Sequence, residues 1–418
     1  MEESTIGAKK VSLRVAGWFG ERDIELAFPS TWEVTERRMA GHDKLALTDE
    51  EMRAALRNPF SSPRLSELAK GKQKAVILFD DLPKPTPTSR IVPFVLEEMH
   101  AGGITDDQIR FVNAPGTHRS MTYGELAVKL GADIVERYPV YQHNVYENLV
   151  DVGTTSNGTP VLVNREFISC DLRVGIGSII PHQSAGFGAG GKIILPGIAG
   201  MKTVAYHHTN LRKGPNSDKV KLGLVDGNPF RLDIEEAARL AGLQFKVDCV
   251  MNNHREVVGL FAGDFVAEHR AGVKLAREIY TTEMLKEMDV LVNNGYPDEC
   301  QFMRSTWPVP VSLKEGGDVV IVNHAHAGQV VHQWNGRFGT DYGGGGWSAG
   351  SRARHLTKAG RVIIMAPFLA KMDRMEFGAA DKVVWYKSWG EVLADLVSRH
   401  GSGTKVGVYP YTPIQLPA

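Results

Sequence analysis

Apolar and polar residues along this chain follow two patterns, short runs of strand length and longer segments of helical period. The run KAVILFDD at residues 74–81 predicts a buried strand that ends in two acids, and Tyr123 to Leu130 predicts an amphipathic helix. Residues 11–36 alternate apolar and polar positions, which predicts a β-hairpin or meander. A second series of strands begins at Asp289 and includes RVIIMAP at residues 361–367. The repeated strand–helix order predicts an α/β fold with mostly parallel sheets.

The length of 418 residues exceeds what one ordinary core accommodates, so two domains are expected. We assign residues 1–265 to an N-terminal domain and residues 285–418 to a C-terminal α/β domain. A helical connection over residues 266–284 joins them.

Composition narrows the classes of function. The chain carries 48 basic and 48 acidic residues, so nothing indicates a nucleic-acid partner. Cys170, Cys249 and Cys300 are isolated, which favours a reducing compartment and argues against a structural zinc site. The N-terminus is polar and lacks a signal-peptide apolar core, and the apolar runs are too short to span a bilayer. We therefore expect a cytoplasmic protein without a membrane partner.

Charged side chains follow two of the predicted strands. Asp80, Asp81 and Lys84 come directly after the buried strand, and His118 and Arg119 follow the next strand along the chain. Functional groups of open α/β sheets gather at the carboxyl ends of the strands. We therefore expect these side chains at one rim of a sheet.

The stretch PHQSAGFGAGGKIILPGIAG at residues 181–200 combines glycines with His182 and Lys192. Its glycines, Gly190 and Gly191 among them, allow positive φ and a close approach of the backbone to a ligand. Tight turns are the alternative explanation of these glycines. The stretch predicts a cofactor or anion cradle.

The same stretch formally fits the phosphate-loop motif GxxxxGK from Gly186 to Lys192. Ile193 stands where a nucleotide triphosphatase needs a magnesium-binding hydroxyl, and Pro196 would break the following helix, so that function is disfavoured. An amine beside apolar residues can have a depressed pKa and become nucleophilic. Lys192 could therefore carry a covalently attached cofactor, with pyridoxal phosphate as the generic candidate.

Four histidines accompany the cradle. His118 and His182 follow different strands, and two such imidazoles suit acid–base work on opposite faces of a carbon, although a single histidine in a loop is more often structural. His207 and His208 are adjacent on a predicted helix, so at most one readily reaches the cradle. One imidazole completed by sulfur or nitrogen ligands from elsewhere suits nickel or copper.

Two other patterns carry weaker signals. His324 and His326 alternate, so a strand would place both on one face. The run GGGGW from Gly343 to Trp347 predicts a flexible loop rather than a phosphate cradle.

Together these motifs resemble the lactate racemase family, which is the family of nickel-pincer nucleotide enzymes. The resemblance covers nearly the whole chain. The matching segments are DDLPKPTP at 80–87, GTHRSMT at 116–122, the cradle at 181–200, the His208 that follows it, and NNGYP at 293–297. It implies two α/β domains with the active site in the cleft between them, and it makes residues 1–265 the cofactor-binding and catalytic domain.

The resemblance also implies a cofactor, the nickel complex of pyridinium-3,5-bisthiocarboxylic acid mononucleotide. Lys192 would bind this nucleotide covalently through a thioamide, and His208 would supply the fourth nickel ligand. The cofactor-binding residues implied by the resemblance are Asp81, Lys84, Gly190 and Gly191. Other enzymes make this cofactor, so cofactor-biosynthesis enzymes are expected partners.

The implied reaction is the racemisation or 2-epimerisation of a 2-hydroxy acid. His118 and His182 would alternate as general base and acid while a hydride moves reversibly between the substrate Cα and the cofactor. A non-catalytic homologue that binds the cofactor or an organic anion is the alternative. The retained pair of imidazoles argues against it.

Three positions depart from the lactate racemase pattern and predict the substrate. Lys84 replaces the Arg of a D-x-x-R-P loop, which keeps the charge and loses the bidentate fork. Arg304 and Trp307 stand where lactate racemases carry a Gln and a Lys near the substrate. We therefore expect these three residues to bind a 2-hydroxy acid larger or more anionic than lactate.

Overall fold

The computed structural model describes residues 9–330, 332–333, 356–370 and 382–418. The predicted loop Gly343 to Trp347 lies outside these residues. In the described part of the chain, no helix combines the length and apolar character needed to cross a membrane.

The elements alternate along the chain as the hydrophobic pattern predicts. The strands are β1 Lys9–Val15, β2 Arg22–Phe28, β3 Glu33–Glu36, β4 Ala75–Phe79, β5 Ile109–Asn113, β6 Val140–Gln142, β7 Leu149–Thr154, β8 Pro160–Asn164, β9 Leu172–Ser178, β10 Pro181–His182, β11 Gly186–Phe187, β12 Phe245–Met251, β13 Val257–Gly263, β14 Thr281–Thr282, β15 Met288–Asn294, β16 Leu313–Val322, β17 Arg361–Met365, β18 Val383–Tyr386, β19 Lys405–Tyr409 and β20 Leu416–Pro417. The helices are α1 Asp49–Arg57, α2 Leu65–Leu68, α3 Thr88–Ala101, α4 Tyr123–Leu130, α5 Ala132–Arg137, α6 Arg165–Ile168, α7 Met201–Asn210, α8 Pro229–Ala241, α9 Ala267–Tyr280, α10 Val309–Ser312 and α11 Trp389–Val397. Short 3₁₀ turns lie at Asp106–Gln108, Gly190–Ile193, Ser217–Lys219 and Phe302–Ser305.

The described residues form two compact units, each built on one six-stranded sheet. The N-sheet unit comprises Gly41–Ile279 with His332 and Gln333. The C-sheet unit comprises residues 9–40, 280–330 and the described residues from 356 onward. The mixed α/β fold with mostly parallel sheets is therefore confirmed.

The N-sheet has the strand order β13-β12-β9-β4-β5-β6 and is parallel except for the β12–β13 pair. All five residues of the interior strand β4 are fully buried, as the run AVILF predicts. The apolar part of the cradle joins the core of this unit, because Ile194, Leu195 and Ile198 pack with Ile234 and Ala238 of α8. Hydrophobic burial thus stabilises the segment after Lys192.

The C-sheet has the order β18-β17-β16-β15-β19-β3, and all of its strands are parallel. Alternate side chains enter two different cores: Val290 and Val292 contribute to the core that includes the β1–β2 hairpin, and Leu291 contributes to the core that includes Val309 of α10. The sheet is therefore covered on both faces, which agrees with its continuous apolar strands.

The boundaries differ from the predicted domains at the N-terminus. The assignment of residues 1–265 to one domain placed the first strands with the N-sheet, whereas β3 pairs in parallel with β19 of the C-sheet. Hydrophobic alternation predicts a strand but carries no information about its distant partner, which explains the difference. The predicted connection 266–284 contains α9, and that helix belongs to the N-sheet unit as far as Ile279.

Candidate active site

Asp81 and His118 form a buried acid–base pair at the rim of the N-sheet. Strands β4 and β5 are parallel neighbours, so the residues that follow them meet at one edge. The Nδ1 atom of His118 lies 2.7 Å from Oδ2 of Asp81, and the two side chains are 9% and 5% exposed. Burial alone raises the pKa of Asp81, but the charge and hydrogen bond of His118, with the ammonium groups of Lys84 and Lys129, lower it below its usual value. Asp81 is therefore an ionised acceptor for the imidazole.

The buried amine of Lys129 contacts the loop after β4. Lys129 of α4 is fully buried, and its Nζ atom lies 2.7 Å from Oδ1 of Asp80. The same amine donates to the carbonyl oxygens of Lys84 at 2.7 Å and Asp81 at 3.2 Å. This loop is thus held by a buried amine. The arrangement fixes the position of Asp81 relative to His118.

His182 lies on a short hairpin formed by β10 and β11. Its Nδ1 atom accepts hydrogen bonds from the backbone N–H groups of Ser184 at 3.2 Å and Ala185 at 3.1 Å. Across the hairpin, His182 is paired with Gly186. The imidazole is therefore oriented by its own turn.

The cradle glycines pack against the protein itself. Gly186 has a φ of 74°, and a β-carbon there would lie 2.1 Å from the carbonyl oxygen of Leu224. At Gly190, with a φ of 58°, it would lie 3.1 Å from the carbonyl oxygen of Phe265, and at Gly191 3.1 Å from the β-carbon of Ala238. Tight turns and close internal packing therefore account for these glycines. Their predicted contact with a cofactor stays a prediction.

The conformation after Gly190 also differs from a phosphate loop. A 3₁₀ turn covers Gly190–Ile193, and the next α-helix begins only at Met201. A phosphate loop requires a helix that starts at its Lys. Together with Ile193, this arrangement argues against nucleotide triphosphate hydrolysis.

Three buried polar residues form hydrogen bonds with the backbone of the cradle. The Arg231 guanidinium donates to the carbonyl oxygens of Ala185, Phe187, Gly188 and Ala189. Burial lowers the pKa of Arg231 to about 10, so the side chain remains a cation near neutral pH. Asp248 accepts the Gly190 N–H at 2.7 Å, and His269 Nε2 donates to the Gly188 carbonyl at 2.7 Å.

Lys192 and His208 belong to neighbouring parts of the N-sheet unit. His208 lies on α7, and its Nδ1 atom donates to the carbonyl oxygen of Val204 at 3.0 Å. Burial, with the charges of Arg212, His207 and Lys192, lowers the pKa of His208 well below its usual value. The ring is therefore neutral, and Nε2 carries its lone pair. A neutral imidazole with Nδ1 bound to a carbonyl is the usual state of a metal-ligating histidine.

The adjacent His207 has a different environment, as expected for neighbouring positions on a helix. Its Nδ1 atom lies 2.8 Å from Oδ2 of the buried Asp233. In the part of the chain described above, no group of three or more His, Cys, Asp or Glu residues is placed to bind a metal ion. A single neutral imidazole such as that of His208 suits a metal that brings its other ligands with it.

The loop that carries His118 is joined to the cradle. The Gly116 N–H donates to the carbonyl oxygen of Gly197 at 2.9 Å. A β-carbon at Gly116 would lie 3.3 Å from Pro196, so the two loops are in close contact. The rim that carries His118 and the segment that carries His182 and Lys192 thus belong to one connected structure.

A third imidazole, which the sequence reasoning missed, contacts His118. The Nε2 atoms of His118 and His332 lie 3.2 Å apart, and Thr117 Oγ1 lies 3.5 Å from Nδ1 of His332. His332 is far from His118 in sequence and carries no motif that signals a role.

Only a weak sequence signal indicates the buried charged residues that contact the cradle. Arg231 lies in a predicted helix, and Asp248 lies within the apolar run of β12. A charged residue in a buried strand indicates an internal partner. The sequence does not identify that partner.

Two of the predicted substrate residues lie in the C-sheet unit. Arg304 donates to the buried Asp298 at 2.8 Å and to the carbonyl oxygen of Pro413 at 3.1 Å. Trp307 donates from Nε1 to the carbonyl oxygen of Thr412 at 2.6 Å. These internal contacts account for both residues, so their role in substrate binding stays a prediction.

The second histidine cluster of the sequence analysis is not on a strand. Strand β16 ends at Val322, before His324 and His326, so the predicted alternation on one strand face is wrong. His326 instead stacks on Phe368, with ring centroids 4.4 Å apart.

Sequence comparisons identify the family. The profile of the lactate racemase N-terminal domain matches residues 19–219. A lactate racemase from Lactiplantibacillus plantarum is 32% identical over 293 residues, which are 69% of this chain and 68% of that protein. A lactate racemase from Thermoanaerobacterium thermosaccharolyticum is 31% identical over 310 residues, which are 71% of this chain and 72% of that protein.

A comparison of structures agrees at the level of the fold. The lactate racemase apoprotein from Thermoanaerobacterium thermosaccharolyticum superposes with a TM-score of 0.73 at 24% identity, covering 98% of this chain and 100% of that one. The chain has the same fold over nearly its whole length. From these matches, the chain belongs to the lactate racemase family and is an isomerase of the racemase type.

Proposed function

We propose that the protein racemises or 2-epimerises a 2-hydroxy acid other than lactate, with a nickel-pincer nucleotide attached to Lys192. The observation that carries this proposal is the Gly116–Gly197 hydrogen bond, which joins the loop of His118 to the cradle of His182 and Lys192. One connected structure thereby offers an acid–base pair, a second imidazole and an amine.

Lys192 and His208 are the residues that would hold the cofactor. The charge of Lys192 is one of the causes that lower the pKa of the His208 imidazole. The bond from His208 Nδ1 to the Val204 carbonyl leaves Nε2 as the nitrogen that would donate to nickel. When bound, the cofactor would accept a hydride from C2 of the substrate and return it.

His118 and His182 would act as general base and acid on the hydroxyl group of the substrate. Asp81 holds His118 in the tautomer that leaves a lone pair on Nε2, the nitrogen that also contacts His332, and a lone pair at this atom suits a general base. His182 is oriented by its turn so that Nε2 points away from the two backbone donors at Nδ1. The Lys84 ammonium, whose charge acts on Asp81, is the candidate for the substrate carboxylate.

The proposed cellular setting follows from the chemistry. The protein would act in the cytoplasm, where the enzymes that make the cofactor would supply it. Cys170 and Cys249 are buried thiols without disulfide partners, which agrees with a reducing compartment.

Intact-protein mass spectrometry tests the covalent attachment. The protein produced together with the cofactor-biosynthesis enzymes should gain the mass of the nucleotide. Lys192→Ala should abolish that gain, whereas Lys202→Ala, at an exposed position of α7, should keep it. Equal loading of both variants would contradict the attachment.

Enantiopure 2-hydroxy acids test the reaction itself. The loaded protein should invert at least one member of a panel that includes aryl and sugar acids, and it should act on lactate more slowly. A loaded protein that inverts none of them would support the non-catalytic alternative.

A further inference from the structure

His118 and His182 differ in what their Nδ1 atoms bind. Nδ1 of His118 faces the Asp81 carboxylate at 2.7 Å, and an ionised carboxylate only accepts hydrogen bonds. Nδ1 of His118 must therefore carry a proton in the neutral as well as in the charged ring. The nitrogen that gains or loses a proton is Nε2.

His332 is placed at that same nitrogen. Its Nε2 lies 3.2 Å from Nε2 of His118, so one of the two atoms donates and the other accepts. With His118 neutral, His332 donates, and the Thr117 hydroxyl at 3.5 Å from His332 Nδ1 can donate to it in turn. With His118 charged, the direction reverses. Both arrangements leave His118 Nδ1 protonated and use Nε2 for proton exchange.

His182 has the opposite arrangement. Backbone N–H groups only donate, and two of them point at Nδ1 of His182, from Ser184 at 3.2 Å and Ala185 at 3.1 Å. Nδ1 therefore carries a lone pair, and the proton of the neutral ring is on Nε2. A second proton on Nδ1 would face two N–H groups.

The turn that imposes this tautomer is braced by buried residues. Asn228 donates to the Ser184 carbonyl at 2.9 Å, and Arg231 donates to the Ala185 carbonyl at 3.3 Å. Both Asn228 and Arg231 are fully buried. Opening the turn to protonate Nδ1 would break these contacts.

We infer that the two imidazoles are not interchangeable: His118 takes and returns the substrate proton for both enantiomers, and His182 stays neutral and donates a hydrogen bond from Nε2. The inference rests on the proposed function and refines its two-base scheme. The hydroxyl O–H bond breaks as its proton joins His118 Nε2, and the C2–H electron pair leaves with the hydride. On return, the hydride rejoins C2 and the same proton returns to oxygen.

This division of roles has a stereochemical consequence. The substrate oxygen stays beside His118 throughout, so inversion requires the carboxylate and the side chain of the 2-oxo acid to exchange places. A scheme with two equivalent bases would instead move the oxygen from one imidazole to the other.

Long-range ¹H–¹⁵N correlation of ¹⁵N-histidine protein tests the tautomers without cofactor or substrate. Spectra of His118→Gln and His182→Gln assign the two rings. At neutral pH we expect Nδ1 protonated in His118, and Nδ1 unprotonated with Nε2 protonated in His182. The same neutral tautomer in both rings, or a doubly protonated His182, would overturn the inference.

The rate of inversion by loaded protein supplies the second measurement. Gln keeps an N–H donor but cannot act as a base, so His182→Gln should slow inversion by about tenfold and His118→Gln by about 10³-fold. Equal losses would overturn the inference. If wild-type protein carries cofactor yet inverts no substrate, the proposed function fails, and the tautomer spectra still decide the asymmetry.

Discussion

The two six-stranded sheets differ in the side chains at the ends of their strands. In the N-sheet, β4 is followed by the buried acids Asp80 and Asp81, and the loop after β5 supplies His118. In the C-sheet, β15 ends in the amides Asn293 and Asn294, which donate to backbone carbonyls within their own unit.

This difference indicates that the ionisable groups suited to catalysis lie in the N-sheet unit. Neutral amides satisfy backbone groups without the desolvation cost of a buried charge. Buried charges are costly, and perturbed ionisable groups cluster at functional sites. We therefore expect changes to buried charges of the N-sheet unit to affect activity as well as stability, and changes to the C-sheet amides to affect stability first.

The largest expected loss of stability comes from Arg231→Met. This change leaves carbonyl oxygens of the cradle without their buried donor, so the free energy of unfolding should fall by about 3–5 kcal/mol. Urea unfolding measures the loss. Arg57→Met, at an exposed salt bridge of α1, should change the same quantity by less than about 0.5 kcal/mol. Similar values for both variants would show that Arg231 does not hold the loop.

Asp81→Asn should reduce activity more than stability. The amide can present an N–H to Nδ1 of His118 and so favour the wrong tautomer, which should lower kcat by about 10⁴-fold, the order seen for a comparable change in a catalytic triad. Kinetics of loaded protein and the ¹⁵N spectrum of His118 measure the two effects. An unchanged kcat would remove Asp81 from the mechanism.

Buried His143 predicts a pH dependence of stability. Burial lowers its pKa to about 4, and its Nε2 donates to the Ala199 carbonyl at the end of the cradle. Below about pH 6.5 the unfolded chain binds a proton that the native ring does not bind until about pH 4. The free energy of unfolding should therefore fall with falling pH across this interval, by at most about 3 kcal/mol from this group.

Urea unfolding from pH 7 to pH 4 measures this slope, and His143→Gln should flatten it because the group that binds the proton is gone. A slope identical to that of the wild-type protein would assign the acid sensitivity to other groups.

Asn294→Ala changes a buried side chain of the C-sheet and, of the changes to buried side chains, should have the smallest effect on the free energy of unfolding. Its amide donates to the Arg14 carbonyl at 2.7 Å and the Pro410 carbonyl at 3.0 Å, so its loss should lower the free energy of unfolding by about 1–3 kcal/mol. The tautomer of His118 should be unchanged. A shift in the His118 spectrum would contradict the separation of roles between the sheets.

Local signals in the sequence predicted much of the fold. Helix α4 spans Tyr123–Leu130 as predicted, because Thr122 caps it and the apolar positions have helical period. The buried strand predicted within residues 74–81 is present as Ala75–Phe79, and the two acids follow it directly. These features depend on neighbours in sequence, which a pattern can show.

Features that depend on distant partners could not be predicted. Three contacts join segments that are far apart in the chain. They are the pairing of β3 with β19, the contact of His332 with His118, and the hydrogen bonds of Arg231 to the cradle. The glycines of the cradle illustrate the same point. Their number predicted close approach, but only the fold shows that the protein itself fills the space.

The most direct test of the proposed hydride chemistry follows the C2 hydrogen during inversion. A single enantiomer of an accepted 2-hydroxy acid, deuterated at C2, is incubated with loaded protein in ordinary water, and the opposite enantiomer is isolated. The account predicts that this product retains deuterium at C2, because the hydride returns from the cofactor. Inversion with complete replacement of deuterium by solvent hydrogen would contradict it and would indicate removal of C2 hydrogen as a proton.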